Sequence, residues 1–167
     1  MDVIYLDYDG VTHPGEVYVH PTEPKIRLHA KGYTLFENAP FLEEALAPYP
    51  DLRIVLSTSW VPSFGFEYAR EQLMPSLRKR VCGSTYEPND PMAWRFARRT
   101  RYDQIQGDVN RRRPDRWLAL DDDALGWPQK ELGHLVLVPG EFGLWSDLAR
   151  SELKARLAVQ FEDVRPK

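Results

Sequence analysis

The chain lacks the features of several large protein classes. It carries one cysteine, Cys82, so an internal disulfide is excluded and a reducing compartment fits. No apolar run is long enough to cross a bilayer, so no membrane partner is expected. The first apolar run starts at Val3, has no basic region before it and breaks at Asp7. No secretory leader is therefore expected, and the expected location is the cytoplasm. There are no internal repeats and no low-complexity tracts. His20, His29 and His134 stand apart, without the spacing of a zinc ligand set.

What is present is ordinary in bulk and uneven in detail. The 167 residues, 43% hydrophobic and 28% charged, suit one globular domain spanning 1–167 with one sizeable core. The net charge of −3 hides a basic segment, in which eleven Lys/Arg face five Asp/Glu between Arg78 and Arg116. Such a segment in an otherwise acidic chain points to an anionic partner, although any single arginine in it reads as a solvated helix face.

Hydrophobic patterning gives the elements. Val3 to Leu6 is short, β-branched and aromatic, as buried strands are. Glu16–Val19 and Lys25–Leu28 alternate polar and apolar residues, with Pro21 and Pro24 between them, and read as a small β-hairpin flap within 11–38. Asn38 is placed as an N-cap, before a helix whose stripe is Phe41, Leu42, Ala45 and Leu46. Leu52–Leu56 is a second strand, followed by a helix from Phe66 to Leu73 with Pro75 just past it. Arg80–Gly83 is a short third strand, and Ser84 to Pro91 is a loop. Helical patterning resumes near Met92, and a helix runs from Arg101 to Val109. Trp117–Leu120 and Leu135–Val138 are the last strands. A final helix is expected to bury Trp145, Leu148, Leu153 and Leu157. Trp94 and Trp117 are assigned to the core with Trp145. Strands alternating with helices predict a mainly parallel sheet with helices on both faces, a three-layer Rossmann-like α/β fold.

Three apolar strands end in polar groups: Asp7 and Asp9, then Ser57-Thr58-Ser59, then Asp121-Asp122-Asp123. A parallel sheet brings the carboxyl ends of all three to one edge, where ligands bind in open α/β folds. Carboxylates gathered in a partly dry crevice raise one another's pKa, and a divalent cation relieves both the repulsion and the desolvation. Hard oxygen ligands suit Mg²⁺.

This pattern resembles the haloacid dehalogenase-like (HAD) phosphohydrolase superfamily from Val3 to about Leu157. The first motif is Asp7-Tyr8-Asp9-Gly10-Val11. Ser57 matches the second, with Thr58 and Ser59 as alternatives. Arg101 fits the third by position, with Arg99 as rival, and Asp121-Asp122 match the fourth. Within the superfamily, Asp9-Gly10-Val11-Thr12-His13-Pro14 and Ser57-Thr58-Ser59-Trp60 resemble HAD domains found alone or in bacterial RNA-repair proteins. The resemblance implies a phosphomonoesterase in which Asp7 is the nucleophile, forming an aspartyl-phosphate, and Asp9 the acid and base. It implies Mg²⁺ held by Asp7, the Asp9 backbone carbonyl, Asp121 and Asp122, and phosphate held by Ser57, Thr58 and Arg101.

Other readings fit less well. An EF-hand loop needs its glycine later than Gly10, a phosphorelay receiver carries its aspartate on a middle strand, and a Toprim nuclease carries its DxD pair late in the fold. An inactive scaffold of the same fold is disfavoured by the presence of both Asp7 and Asp9. His13 reads first as a turn histidine and Trp60 as a core residue. Neither Val11–Pro50 nor Ser84–Pro91 is long enough for a folded cap domain. The expected substrate is therefore large: a phosphorylated nucleic-acid end, RNA first. The rival is a small nucleotide or sugar phosphate, with the site closed by dimerisation.

Overall fold

The computed structural model of the chain describes residues 1–19, 22 and 26–162. Strand β1 (Val3–Leu6) is followed by β2 (Val17–Val19) and β3 (Ile26–Leu28), and then by helix α1 (Ala39–Leu46). Next come β4 (Arg53–Leu56), three short helices, α2 (Trp60–Phe64), α3 (Phe66–Glu71) and α4 (Pro75–Arg78), and β5 (Val81–Ser84). A 3₁₀ turn over Ala93–Arg98 leads into α5 (Arg101–Arg112). Strands β6 (Trp117–Asp121) and β7 (Leu135–Leu137) precede the closing helix α6 (Asp147–Phe161).

Five strands form one parallel sheet in the order β5-β4-β1-β6-β7, and β2 and β3 form a separate antiparallel hairpin. The first strand is central. The chain builds outward from it to β5, then crosses to the other side for β6 and β7. The carboxyl end of β1 therefore lies where the winding reverses, which is the ligand-binding position in such sheets.

Both faces of the sheet are covered, which explains why its strands read as unbroken apolar runs. Ile4, Leu6, Ile54, Leu56, Leu118 and Leu120 pack beneath α1, α2, α3, α4 and α6. The alternate residues Val3, Tyr5, Val55 and Ala119 face Ile105 of α5 together with Trp117 and Trp127. The three-layer α/β architecture is thus as the patterning predicts, hairpin included. The intervening Pro21 and Pro24, with His20 and Lys25, lie outside the described residues.

Several details differ. An unexpected helix, α2, starts right after Ser59; Pro62 falls in its first turn, where a missing N–H costs nothing. Helix α3 stops at Glu71, before Leu73, and Pro75 opens α4 instead of following a helix. Asn38 precedes α1 but does not cap it with its side chain. Its amide instead donates to the carbonyls of Val11 and Phe142, at 3.4 and 3.1 Å, joining the loop after β1 to the segment before α6. The buried stripe of α6 is Ala149, Leu153, Leu157 and Phe161, while Leu148 is 84% and Trp145 57% exposed. Trp94 is also outside the core, at 60% exposed, whereas Trp117 is buried as expected. No described helix is long and apolar enough to cross a membrane.

Candidate active site

The strand register assembles the site. Leu6 pairs with Leu56 on one side and Leu120 on the other. The ladder then continues by one residue. The Ser57 N–H donates to the Leu6 carbonyl at 2.8 Å, and the Asp7 N–H to the Leu120 carbonyl at 3.1 Å. Asp7, Ser57 and Asp121 therefore form one row across three strands. Side chains alternate along a strand, so this row shares the side of Tyr5, Val55 and Ala119, the side covered by α5. The first residue of α5 is Arg101, held there by Thr100, whose hydroxyl caps the helix by accepting from the Asp103 N–H.

Arg101 bridges the two carboxylates of the row. Its Nη2 lies 3.2 Å from Asp7 Oδ2 and its Nε 3.0 Å from Asp121 Oδ2. The second contact is not aligned as a hydrogen bond, and both Arg101 Nε and Asp121 Oδ2 are buried without a hydrogen-bond partner. Gln104, one turn along α5, accepts from Arg101 Nη1 at 3.1 Å. Its amide nitrogen donates to the Phe96 carbonyl at 3.1 Å, so the guanidinium is braced against the preceding 3₁₀ turn. Arg99, the rival third-motif residue, is exposed, and only its backbone carbonyl joins this network, accepting from Gln104 Nε2 at 3.4 Å.

Asp122 completes an acidic cluster: the carboxylate oxygens of Asp7, Asp121 and Asp122 lie within 4.8 Å of one another. It occupies a slot between two glycines. Gly10 has φ +70, and a side chain on either Gly10 or Gly140 would collide with the Asp122 carboxylate. Burial pushes the Asp7 carboxyl above its ordinary range, against the pull of Arg101. Burial, and next the charge of Asp7, push Asp121 well up. Desolvation and then Asp7 push Asp122 up to about 6, although part of its surface stays accessible. Burial works against the Arg101 charge, but Asp7 and Asp121 outweigh it and hold the guanidinium above its usual value. Three carboxylates facing one guanidinium leave two negative charges in excess, the amount one divalent cation neutralises. The unpartnered Asp121 Oδ2 and the slot that admits Asp122 fit such an ion.

Asp9 is held apart from this cluster. Its Oδ1 accepts from Trp60 Nε1 at 2.9 Å and from His13 Nε2 at 3.0 Å. His13 is fully buried, and its Nδ1 accepts from the Phe36 N–H at 3.4 Å. A carboxylate oxygen only accepts, so Nε2 is the donor to Asp9. Phe36 has φ 59, an uncommon conformation for a residue with a side chain, and its ring packs edge-on to His13 and Trp60. Two N–H donors on rigid aromatic supports thus fix one carboxylate oxygen. The turn reading of His13 misses this role, and the core reading of Trp60 holds only in part, since Trp60 is both packed and hydrogen-bonded. Its offset of four residues from Asp9 was the available signal for His13.

The hydroxyls after β4 divide. Ser57 Oγ is buried, unpartnered and in the Asp7 row. The Thr58 hydroxyl is engaged by Asp7 and by the Trp60 N–H. Ser59 lines the crevice of about 570 Å³ that opens over Asp7 and Asp9, with Glu16 and Val17 of the hairpin on its wall.

No curated protein and no solved structure matches the chain. A family described as the HAD domain in Swiss Army Knife RNA repair proteins matches residues 3–149. The match runs from the first residue of β1 into α6 and takes in every residue of the acidic row, the Arg101 clamp and the Asp9 support. The chain belongs to this HAD family.

Proposed function

We propose that the chain is a Mg²⁺-dependent phosphomonoesterase working through an aspartyl-phosphate on Asp7, with a phosphorylated RNA end as substrate. The row of Asp7, Ser57 and Asp121 at the switch point, with its two carboxylates bridged by Arg101, carries this reading. It sets a nucleophile, an unpartnered hydroxyl, a cation and a set of hard oxygen ligands side by side at the sheet edge, with Asp7, Arg101 and Asp122 lining the crevice above.

A carboxylate oxygen of Asp7 attacks phosphorus while the bond to the leaving oxygen breaks. Asp9, protonated in this step, gives its proton to that oxygen. The Asp9 carboxylate then takes a proton from water, and the resulting hydroxide attacks phosphorus. The bond to Asp7 breaks, phosphate departs, and both side chains return to their starting states. Arg101 and the Ser57 hydroxyl balance charge on the equatorial oxygens. Asp7, Asp121 and Asp122, with the Asp9 carbonyl, would hold Mg²⁺; when bound, it offsets repulsion between these carboxylates and the incoming phosphate.

The family description, the basic segment from Arg78 to Arg116 and the short insert at 11–38 support the RNA-end substrate. In this reading, the chain acts as one catalytic domain. The test is a panel of 5′- and 3′-phosphorylated oligonucleotides against mononucleotides and sugar phosphates, with Mg²⁺ and with EDTA. Oligonucleotide ends should be turned over preferentially, with steep salt dependence, and only with the metal. Equal efficiency on mononucleotides, independent of salt, would select the small-molecule reading instead.

A further inference from the structure

An exposed aromatic flanked by arginines stands on the turn that leads into α5 and Arg101. Trp94, on the 3₁₀ turn before α5, is 60% exposed. The Arg95 guanidinium lies 4.7 Å from its ring centroid, and that of Arg98 lies 5.6 Å away. Among the described residues, Arg95, Arg98 and Arg99 meet no carboxylate, whereas Arg101, Arg111 and Arg112 are ion-paired. Trp94 belongs to neither core cluster.

The turn is nevertheless ordered and leads to the site. Phe96 is buried beneath it, edge-on to Tyr86 at 5.1 Å. Gln104 ties the Phe96 carbonyl to Arg101, the residue that reaches Asp7. A second cavity, of about 270 Å³, is lined by Arg99, Phe96 and Ala97 and shares Ser59, Arg101 and Asp123 with the crevice. The two cavities are therefore contiguous, and the second is walled by Phe96, Ala97 and Arg99, neighbours in the chain of Trp94, Arg95 and Arg98.

We infer that Trp94, Arg95 and Arg98 form a docking platform for single-stranded RNA adjoining the phosphorylated end. A base stacks on the indole, and the arginines meet backbone phosphates. The stack supplies affinity without sequence preference, because every base has a π-face. The cations supply salt-dependent attraction. This inference rests on the RNA-end reading, but binding and turnover are separable.

The probe is a fluorescein-labelled single-stranded RNA of about ten nucleotides, within the site sizes such surfaces cover, titrated by anisotropy against the full chain. Trp94→Ala should weaken binding about tenfold, the loss expected of one stacked base. Arg95→Glu with Arg98→Glu should weaken it further and reduce the slope of log affinity against log salt by about 1.4, at about 0.7 for each phosphate contact. In turnover, Trp94→Ala should lower the ratio of oligonucleotide to p-nitrophenyl phosphate kcat/KM by the same factor. Trp94 is exposed, and circular dichroism checks that each variant folds. Binding by Trp94→Ala equal to the parent overturns the platform, as does a parent that ignores the RNA or prefers duplex. Anisotropy that behaves as expected in a chain that hydrolyses no phosphate ester would keep the platform and defeat the phosphatase reading.

Discussion

Trp60→Phe isolates one hydrogen bond in the proposed mechanism. The substitution removes the Nε1–H that donates to Asp9 Oδ1 at 2.9 Å and leaves an aromatic ring among Tyr8, Phe36 and Phe64. A hydrogen bond to a charged group contributes about 1.5–3 kcal/mol, and trimming a fully buried indole adds a packing loss. A stability loss of about 2–3 kcal/mol is expected, read as a lower urea midpoint. His13 remains as a donor, so Asp9 loosens without being released. Misplacing a catalytic group by about 1 Å costs roughly 10²-fold, and losing one of two anchors should cost about tenfold in rate. The assay is kcat/KM on two phosphate esters, one with a poor alkyl leaving group and one with nitrophenolate. Only the poor leaving group needs the Asp9 proton, so the loss should fall mainly on the alkyl ester. Equal losses on both would mean that Trp60 is packing alone, and an unchanged alkyl ester rate would refute the positioning argument.

The raised carboxyls make the stability of the metal-free protein pH-dependent. Asp7, Asp121 and Asp122 bind protons more tightly folded than unfolded, so the stability they contribute is full below the ordinary carboxyl pKa and is lost as pH rises through the folded values, about 6 for Asp122. In EDTA the protein should melt lower at pH 7.5 than at pH 5, with Mg²⁺ narrowing the gap and Asp122→Asn flattening it; a metal-free Tm that rises from pH 5 to 7.5 would contradict this. Gly140→Ala should weaken Mg²⁺ binding at least tenfold by titration calorimetry, because the new methyl takes the Asp122 slot; parental affinity would show that the slot is unimportant. Gln104→Leu removes the acceptor for Arg101 Nη1 and should raise KM several-fold with the fold intact, whereas Arg99→Leu should leave p-nitrophenyl phosphate turnover unaltered.

The sheet was legible because its strands are buried on both faces. Val3–Leu6, Arg53–Leu56 and Trp117–Leu120 carry no polar residue where the chain is covered, except Arg53 at the entrance of β4. Their exits are marked by Asp7, Ser57 and Asp121. Residue size misled elsewhere. Leu148 and Trp145 are large and apolar yet point to solvent, while Ala149 lets α6 approach the sheet closely. Trp94 follows the same error, since an indole reads as core until its arginine neighbours are given weight. Beyond the four-residue offset of His13, the support around Asp9 depended on contacts no spacing rule specifies. His13 receives the Phe36 N–H across 23 residues, and Trp60 reaches Asp9 across 51. Asn38, placed by sequence as a cap, spans 104 residues to Phe142, a contact visible only in three dimensions.

Every step of the proposed reaction passes through covalent phosphorylation of Asp7. Asp9→Asn should slow hydrolysis of the phospho-enzyme, while nitrophenolate still leaves without a proton from Asp9. Acid-quenched Asp9→Asn protein, incubated with Mg²⁺ and p-nitrophenyl phosphate and mapped by peptide mass spectrometry, is predicted to carry the phosphoryl group on Asp7. Asp7→Asn should carry none and turn over no substrate. A phosphoryl group on Ser57, or turnover by Asp7→Asn at the parental rate, would contradict the account.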